Sequence, residues 1–140
     1  MRKIERIFVH CTASPQTWGV KDLWAEFKAK GWKLPGYHYV VTADGGIHQM
    51  LAVEEVSNGV KGYNSTAINV AYVGGISRQG KKIVAVDNRT PEQKASLRKL
   101  LGILRQKYMG HRSIWGEDTP NKWLKSCPCF DAVEEYKDIM

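Results

Sequence analysis

The chain has 140 residues, of which 43% are hydrophobic and 25% are charged, a balance typical of a folded protein and unlike that of disordered or fibrous chains. It contains no apolar run near the roughly 20 residues that a membrane-spanning helix requires. Lysine and arginine (21) outnumber aspartate and glutamate (14), and the net charge of +7 favours an anionic partner: a nucleic acid, an acidic membrane surface or an anionic cell-wall polymer.

Hydrophobic patterning predicts strands that alternate with helices. Short apolar runs predict strands at residues 4–10, 37–42, 47–50 and 68–73. Apolar residues at helical spacing predict helices at residues 20–30, 90–109 and 130–137. Interleaved elements of this kind indicate the α/β (α+β) class, with a central mixed β-sheet flanked by helices, and we expect residues 1–140 to form a single domain.

Turn and capping residues mark the ends of several elements. Residues 43–46, Ala-Asp-Gly-Gly, predict a hairpin turn between the second and third strands. Thr90 and Gln93 match a capping box and predict where the longest helix begins. We expect a loop or irregular hairpin at residues 78–88 and a polar loop at residues 115–126.

Two histidines and one of the three cysteines are candidate metal ligands. His10 ends the first predicted strand, His111 follows the longest predicted helix, and Cys127 precedes the last one. Imidazole and thiolate suit zinc, and three protein ligands leave a fourth position for water, as in catalytic zinc sites. The intervals match no compact zinc-binding motif, so spacing alone leaves open that these residues are unrelated.

The three cysteines do not form a disulfide framework, because their number is small and odd. Cys127 and Cys129 are separated by one proline, which makes a disulfide between them geometrically poor. At least one cysteine is therefore a candidate for a chemical role as a thiolate.

Two further residues are candidates for chemistry beside such a site. Lys125 lies two residues before Cys127 and could stabilise an oxyanion, although plain surface charge is the more common role of a lysine. Tyr37 begins a predicted strand, where its hydroxyl could donate to a tetrahedral intermediate or its ring could simply pack.

Five separated motifs resemble those of one known family, in the same order and at similar intervals. They are FVHCT (8–12), GYHYVV (36–41), KGYN (61–64), VGGI (73–76) and KSCPCFD (125–131). Over nearly its whole length the chain resembles the zinc-dependent N-acetylmuramoyl-L-alanine amidases. The likeness is closest to the short lysozyme-type amidases of tailed phages, which share their fold with peptidoglycan recognition proteins.

The resemblance implies a reaction and a set of site residues. It implies hydrolysis of the amide between N-acetylmuramic acid and L-alanine in peptidoglycan. It further implies that His10, His111 and Cys127 bind one Zn²⁺ per chain, and that Tyr37 and Lys125 line the active site and support catalysis.

Three other residues are expected to have structural or solvent-exposed positions. Cys11 should point to the opposite face of its strand from His10, into the core. His38 should likewise face away from Tyr37, and we assign it only a structural role. His48 matches no family motif and is expected to be an exposed strand residue.

The chain departs from the family pattern at three places. Some phage relatives carry a histidine near Asn58 and Gly59, before the KGYN motif, and this chain does not. Cys129 stands where relatives often have a small residue, so it could compete with Cys127 as a ligand, although the spacing from Lys125 favours Cys127. The stretch between His111 and Lys125 is longer than in the phage enzymes and is expected to form one wall of the cleft.

Two other classes of protein remain as alternatives. A peptidoglycan recognition domain that binds without catalysis typically lacks one of the zinc ligands. A nucleic-acid-binding role is suggested only by the charge, since no recognition motif accompanies it. We therefore expect a monomer that acts on peptidoglycan, with neither nucleic-acid binding nor membrane insertion.

The start of the chain has no signal-peptide pattern, so we expect synthesis in the cytoplasm and action on the cell wall after release or export.

Overall fold

A computed structural model of the chain describes residues 2–109, 113–116 and 127–139. The strands are β1 Arg6–Cys11, β2 Tyr39–Val41, β3 Ile47–Gln49, β4 Ala67–Tyr72, β5 Ile76–Gln79, β6 Lys82–Ala85 and β7 Ser113–Gly116. The α-helices are α1 Val20–Ala29, α2 Pro91–Leu104 and α3 Ala132–Glu135. None of the helices in these ranges combines the length and apolar character needed to cross a lipid bilayer.

The central sheet has five strands in the order β3-β2-β4-β1-β7. Strands β2, β4, β1 and β7 are parallel, and β3 runs antiparallel to β2 after the predicted hairpin turn. Strands β5 and β6 form a separate antiparallel hairpin. This hairpin begins at Ile76, just before the loop or irregular hairpin expected at residues 78–88. The mixed sheet flanked by helices is therefore confirmed.

Strand β7 corrects one expectation. Residues 115 and 116 were expected in a polar loop, but they belong to a strand that pairs in parallel with β1, Phe8 opposite Trp115 and Val9 opposite Gly116. A parallel partner is distant in sequence, and it stabilises a strand that local composition does not indicate. Residues 117–126 of the expected loop lie outside the described part of the chain.

Strand β1 is buried on both of its faces, as expected for a strand inside a largely parallel sheet. Alternate side chains point to opposite faces, so Ile7, Val9 and Cys11 join a core with the leucines of α2. The other face carries Phe8 and His10, and α1 packs against this side of the sheet.

Helix α2 begins at the predicted capping box and is tied to the sheet by one buried side chain. The Thr90 hydroxyl accepts the backbone N–H of Gln93 at 3.0 Å. The Gln93 amide in turn donates to the backbone oxygens of Val41, at 3.0 Å, and Val73, at 2.9 Å. The start of α2 is thereby fixed at the carboxyl ends of β2 and β4.

A buried arginine connects the segment before α2 to α3. Arg89 donates to the Asp87 carboxylate at 2.9 Å and to Glu135 at 2.9 Å, and it lies 3.5 Å above the ring of Phe130. Hydrogen bonding from Arg89 holds the pKa of Glu135 below its usual value. Burial alone would raise the pKa of Asp87, but the hydrogen bonds and charge of Arg89 outweigh burial and lower it. This cluster of Asp87, Arg89, Phe130 and Glu135 holds the segment that follows Cys127 against the segment before α2.

Candidate active site

A cleft of about 400 Å³ opens where β1 and β4 end. Crevices at the carboxyl ends of parallel strands are common ligand sites, because loops from neighbouring strands meet there. Thr12, Tyr37, Gly75 and Cys127 are among the lining residues. Predicted site residues from distant parts of the sequence therefore share one cavity.

Cys127 lies at the end of β1, against the backbone of the residue that follows His10. His10 is 1% exposed. The Sγ atom of Cys127 accepts the backbone N–H of the next residue, Cys11, at 2.9 Å, and lies 3.5 Å from its carbonyl oxygen. Two of the three predicted ligands are therefore at the same strand end, while His111 lies outside the described residues. Within the described ranges, no group of three His, Cys, Asp or Glu side chains could hold a metal ion.

Tyr37 lies beside His10. The two ring centroids are 5.2 Å apart, and the Tyr37 hydroxyl donates to the backbone oxygen of Cys11 at 3.4 Å. Tyr37 also lines a smaller recess of about 140 Å³ that includes His10, Lys30 and Trp32. Lys125, the other predicted catalytic residue, is outside the described part of the chain.

Cys129 occupies a different environment from Cys127. Its Sγ atom is 4.0 Å from that of Cys11 and 3.5 Å from the backbone oxygen of Gly75. Burial raises the pKa of the Cys129 thiol to about 12. Cys11 is 4% exposed within the core on the face opposite His10, as predicted.

Of the two remaining histidines, His38 is buried and His48 is exposed. His38 is fully buried, accepts the backbone N–H of Asn69 at 3.0 Å, and lies 2.7 Å from the backbone oxygen of Glu55. Burial lowers the pKa of His38 to about 4, so this histidine is neutral and structural. His48 is exposed on β3.

The structure adds one polar residue that the sequence pattern did not single out. Asn69 lies in β4 with no exposed surface, and its Oδ1 atom is 2.7 Å from Nε2 of His10. The sequence feature that could have indicated Asn69 is its position as an amide within the otherwise apolar and aromatic run Ile-Asn-Val-Ala-Tyr. A buried amide needs hydrogen-bond partners, and its partner here is a predicted ligand.

Solved structures with this fold include both enzymes and recognition proteins. The N-acetylmuramoyl-L-alanine amidase LysC from Clostridium intestinale matches with a TM-score of 0.77 and 22% identity, over 99% of this chain and 83% of that chain. The recognition protein PGRP-SA from Apis mellifera matches with a TM-score of 0.74 and 16% identity, again over 99% and 83%. At these identities the likeness shows the fold, which is the predicted one.

Sequence comparison defines the family. A family model described as N-acetylmuramoyl-L-alanine amidase matches residues 1–129, and the chain therefore belongs to this amidase family. The endolysin of Klebsiella phage KP32 is 36% identical over 132 residues, which cover 93% of this chain and 83% of that relative. The predicted amidohydrolase activity toward the bond between N-acetylmuramic acid and L-alanine is confirmed.

Proposed function

We propose that this amidase is zinc-dependent, and that His10, His111 and Cys127 hold one Zn²⁺ per chain. The observation that carries the proposal is the approach of the Cys127 sulfur to the end of β1, 2.9 Å from the backbone nitrogen that follows buried His10. An imidazole and a thiol at one strand end fit a zinc site in donor chemistry, and the third ligand rests on the family resemblance.

Each proposed catalytic residue has a distinct task. Zn²⁺ bound by this set would act as a Lewis acid and would lower the pKa of a water molecule. The Tyr37 hydroxyl, beside His10, would donate a hydrogen bond to the carbonyl oxygen as negative charge develops on it. Lys125, placed two residues before Cys127 in sequence, would add a positive charge toward the same oxygen.

The substrate proposed for this cleft is cell-wall peptidoglycan, bound by a monomeric enzyme. The cleft and the smaller recess share Tyr37 and Lys30, so a chain-like substrate can extend from one into the other past the proposed metal ligands. The net charge of +7 attracts a wall polymer that carries anionic groups. By analogy with the phage endolysins, we propose lysis of the wall from a chain made in the cytoplasm and later released.

Metal content and wall digestion test the proposal together. We expect the purified protein to hold one equivalent of zinc and to release stem peptides free of muramic acid from sacculi. A chelator should stop the release, and added Zn²⁺ should restore it. Release that continues in the metal-free protein would contradict zinc dependence, and binding to sacculi without release would indicate a recognition domain instead.

A matched pair of cysteine variants identifies the sulfur ligand. Cys127→Ser should lose bound zinc, because it removes the thiolate at the end of β1, whereas Cys129→Ser should retain it. Metal content measured after gel filtration distinguishes the two variants. The reverse pattern would make Cys129 the ligand.

A further inference from the structure

A buried hydrogen-bond network lies behind His10, on the side away from solvent. Asn69 faces Phe8 across the parallel pair β1–β4, while His10 faces Ala71, so Asn69 and His10 lie diagonally on the same face of the sheet. The 2.7 Å contact between Asn69 Oδ1 and His10 Nε2 is fully buried. A contact of this length in a dry environment is a strong constraint on the imidazole ring.

The network determines which end of the Asn69 amide faces His10. The backbone N–H of Val60 can only donate, and it donates to Oδ1 of Asn64 at 2.7 Å. That oxygen lies 3.3 Å from Nδ2 of Asn69, and the Ser57 hydroxyl oxygen lies 2.7 Å from the same nitrogen. The NH₂ group of Asn69 therefore points toward these acceptors, and its oxygen points toward His10.

The tautomer of His10 follows from that orientation. An amide oxygen can only accept, so Nε2 of His10 must carry the proton that it donates to Asn69. In a neutral imidazole the other nitrogen, Nδ1, then holds the lone pair with which a ring binds metal.

Gly59 provides the space that Asn69 occupies. A Cβ atom built on Gly59 would overlap both Cγ and Oδ1 of Asn69, and its three nearest atoms all belong to that side chain. Gly59 is not among the residues with positive φ, so its backbone would accept alanine. The glycine is therefore required by the bulk of Asn69 and not by the local turn.

We propose that Asn69 is a positioning residue for His10: it fixes the Nε2–H tautomer and presents Nδ1 as the metal-binding atom, with Gly59 making room for it. This inference rests on the proposed function, in which His10 is a zinc ligand. Loss of a group that accepts the second N–H of a ligating histidine typically lowers metal affinity by about 10–100-fold.

The tautomer is tested directly on the metal-free wild-type protein. Long-range ¹H–¹⁵N spectra distinguish the two neutral forms of a histidine, and His10→Gln identifies the signals of His10. We expect the neutral ring to be in the Nε2–H form. An Nδ1–H form would overturn the inference whether or not the protein binds zinc.

Substitutions of Asn69 test its effect on the metal. Asn69→Leu keeps the number and branching of the side chain's heavy atoms but removes the acceptor, so zinc affinity measured by competition with a chelator should fall about 10–100-fold. Asn69→Asp keeps an acceptor oxygen and should restore most of that affinity. Ser57→Ala, which disturbs the far end of the network, should have a smaller effect than Asn69→Leu, and thermal unfolding of the metal-free variants reports any general loss of stability.

Substitutions of Gly59 approach the same contact from the other side. Gly59→Ala should displace Asn69, lowering both the melting temperature of the metal-free protein and its zinc affinity. Adding Asn69→Ala relieves the clash, so the double variant should melt no lower than Asn69→Ala alone, while its zinc affinity stays low. A merely structural role would instead leave zinc affinity within about threefold of wild type in every variant that folds.

The outcomes separate this inference from the proposed metal site. Wild-type protein that holds no zinc, or a His10→Gln variant that binds zinc as tightly as wild type, would overturn the proposed site and the positioning role with it. Zinc that depends on His10 but is held equally well by Asn69→Leu would overturn the positioning role alone.

Discussion

At the scale of single residues, the hydroxyl of Tyr37 is a proposed catalytic group that can be removed with little other change. Tyr37→Phe keeps the ring contacts with His10 and Phe27, whose centroids lie 5.2 and 5.7 Å away. It removes a hydrogen-bond donor proposed to face the developing oxyanion, so kcat should fall about 10²–10³-fold, as for other oxyanion-stabilising donors. Turnover of a soluble muropeptide measures the loss.

Zinc content provides the control for this variant. Tyr37 is not a proposed ligand, so Tyr37→Phe should hold as much zinc as wild type. Lys125→Ala should behave in the same way, with turnover lowered by orders of magnitude and zinc retained. Wild-type turnover in either variant would remove that residue from the mechanism.

The site residues proposed from the sequence all lie within recognisable motifs or beside predicted elements. Sequence reasoning placed Cys11 on the core face by strand alternation, as the structure has it. The structure also brings Tyr37 beside His10 and Cys127 beside the end of β1, while their roles in the site stay predictions. Sequence reasoning missed Asn69, because the partner of a buried amide is chosen by the pairing of β1 with β4 and not by neighbours in sequence. His111 and Lys125 remain predictions.

At the scale of elements, locally encoded features were predictable and non-local pairings were not. Helix α2 starts at the predicted capping box, and its apolar stripe is buried against the sheet. Strand β7 was missed because its stability comes from parallel pairing with β1, which is about 100 residues away. The ion pairs of Arg89 with Asp87 and Glu135 could not be predicted from the sequence either, although they fix α3 to the segment before α2.

Arg89 is predicted to stabilise the fold through its two carboxylate partners. Arg89→Leu would leave Asp87 and Glu135 without their shared cation, and Arg89→Lys would keep the charge but lose the bidentate contact. Both carboxylates keep partial contact with water, so the loss in Arg89→Leu should lie at or below the lower end of the about 3–5 kcal/mol typical of broken buried pairs. Urea unfolding of the two variants measures it.

The same cluster should make stability depend on pH. The pKa values of Asp87 and Glu135 are both lowered in the folded protein, whereas in the unfolded chain they return to about 4. Their contribution is therefore complete above pH of about 5 and is lost as the pH falls through the folded-state values. The acid-side decline in the free energy of unfolding should be shallower in Arg89→Leu, and an unchanged slope would exclude the cluster as its cause.

At the scale of the whole molecule, the order of strands and helices was enough to predict the class of fold. Strands that alternate with helices leave few arrangements other than a sheet with helices packed on its faces. The order of strands within the sheet was not predictable from that pattern. Strand β1 lies between β4 and β7, and both of these strands are distant from it in sequence. The resemblance to amidases supplied the remaining information.

The net charge of +7 predicts that wall binding is sensitive to salt. The Debye length falls from about 10 Å at 0.1 M salt to about 3 Å at 1 M, which screens attraction between the enzyme and an anionic polymer. KM for sacculi should therefore rise with salt, while kcat for a small neutral muropeptide should stay nearly constant. Equal salt responses for the two substrates would mean that salt acts on the chemistry of the site and not on association.

Two pairs of lysines locate the charge that matters. Lys81 and Lys82 are exposed on the β5–β6 hairpin, whose residues Ile76 and Ala85 line the cleft. Lys94 and Lys99 are equally exposed on α2, which packs against the opposite face of the sheet from His10. Replacing the hairpin pair with glutamine should raise KM for sacculi and weaken its salt dependence more than the same change on α2, because local potential at the cleft steers the polymer. Equal effects of the two pairs would assign the salt response to net charge alone.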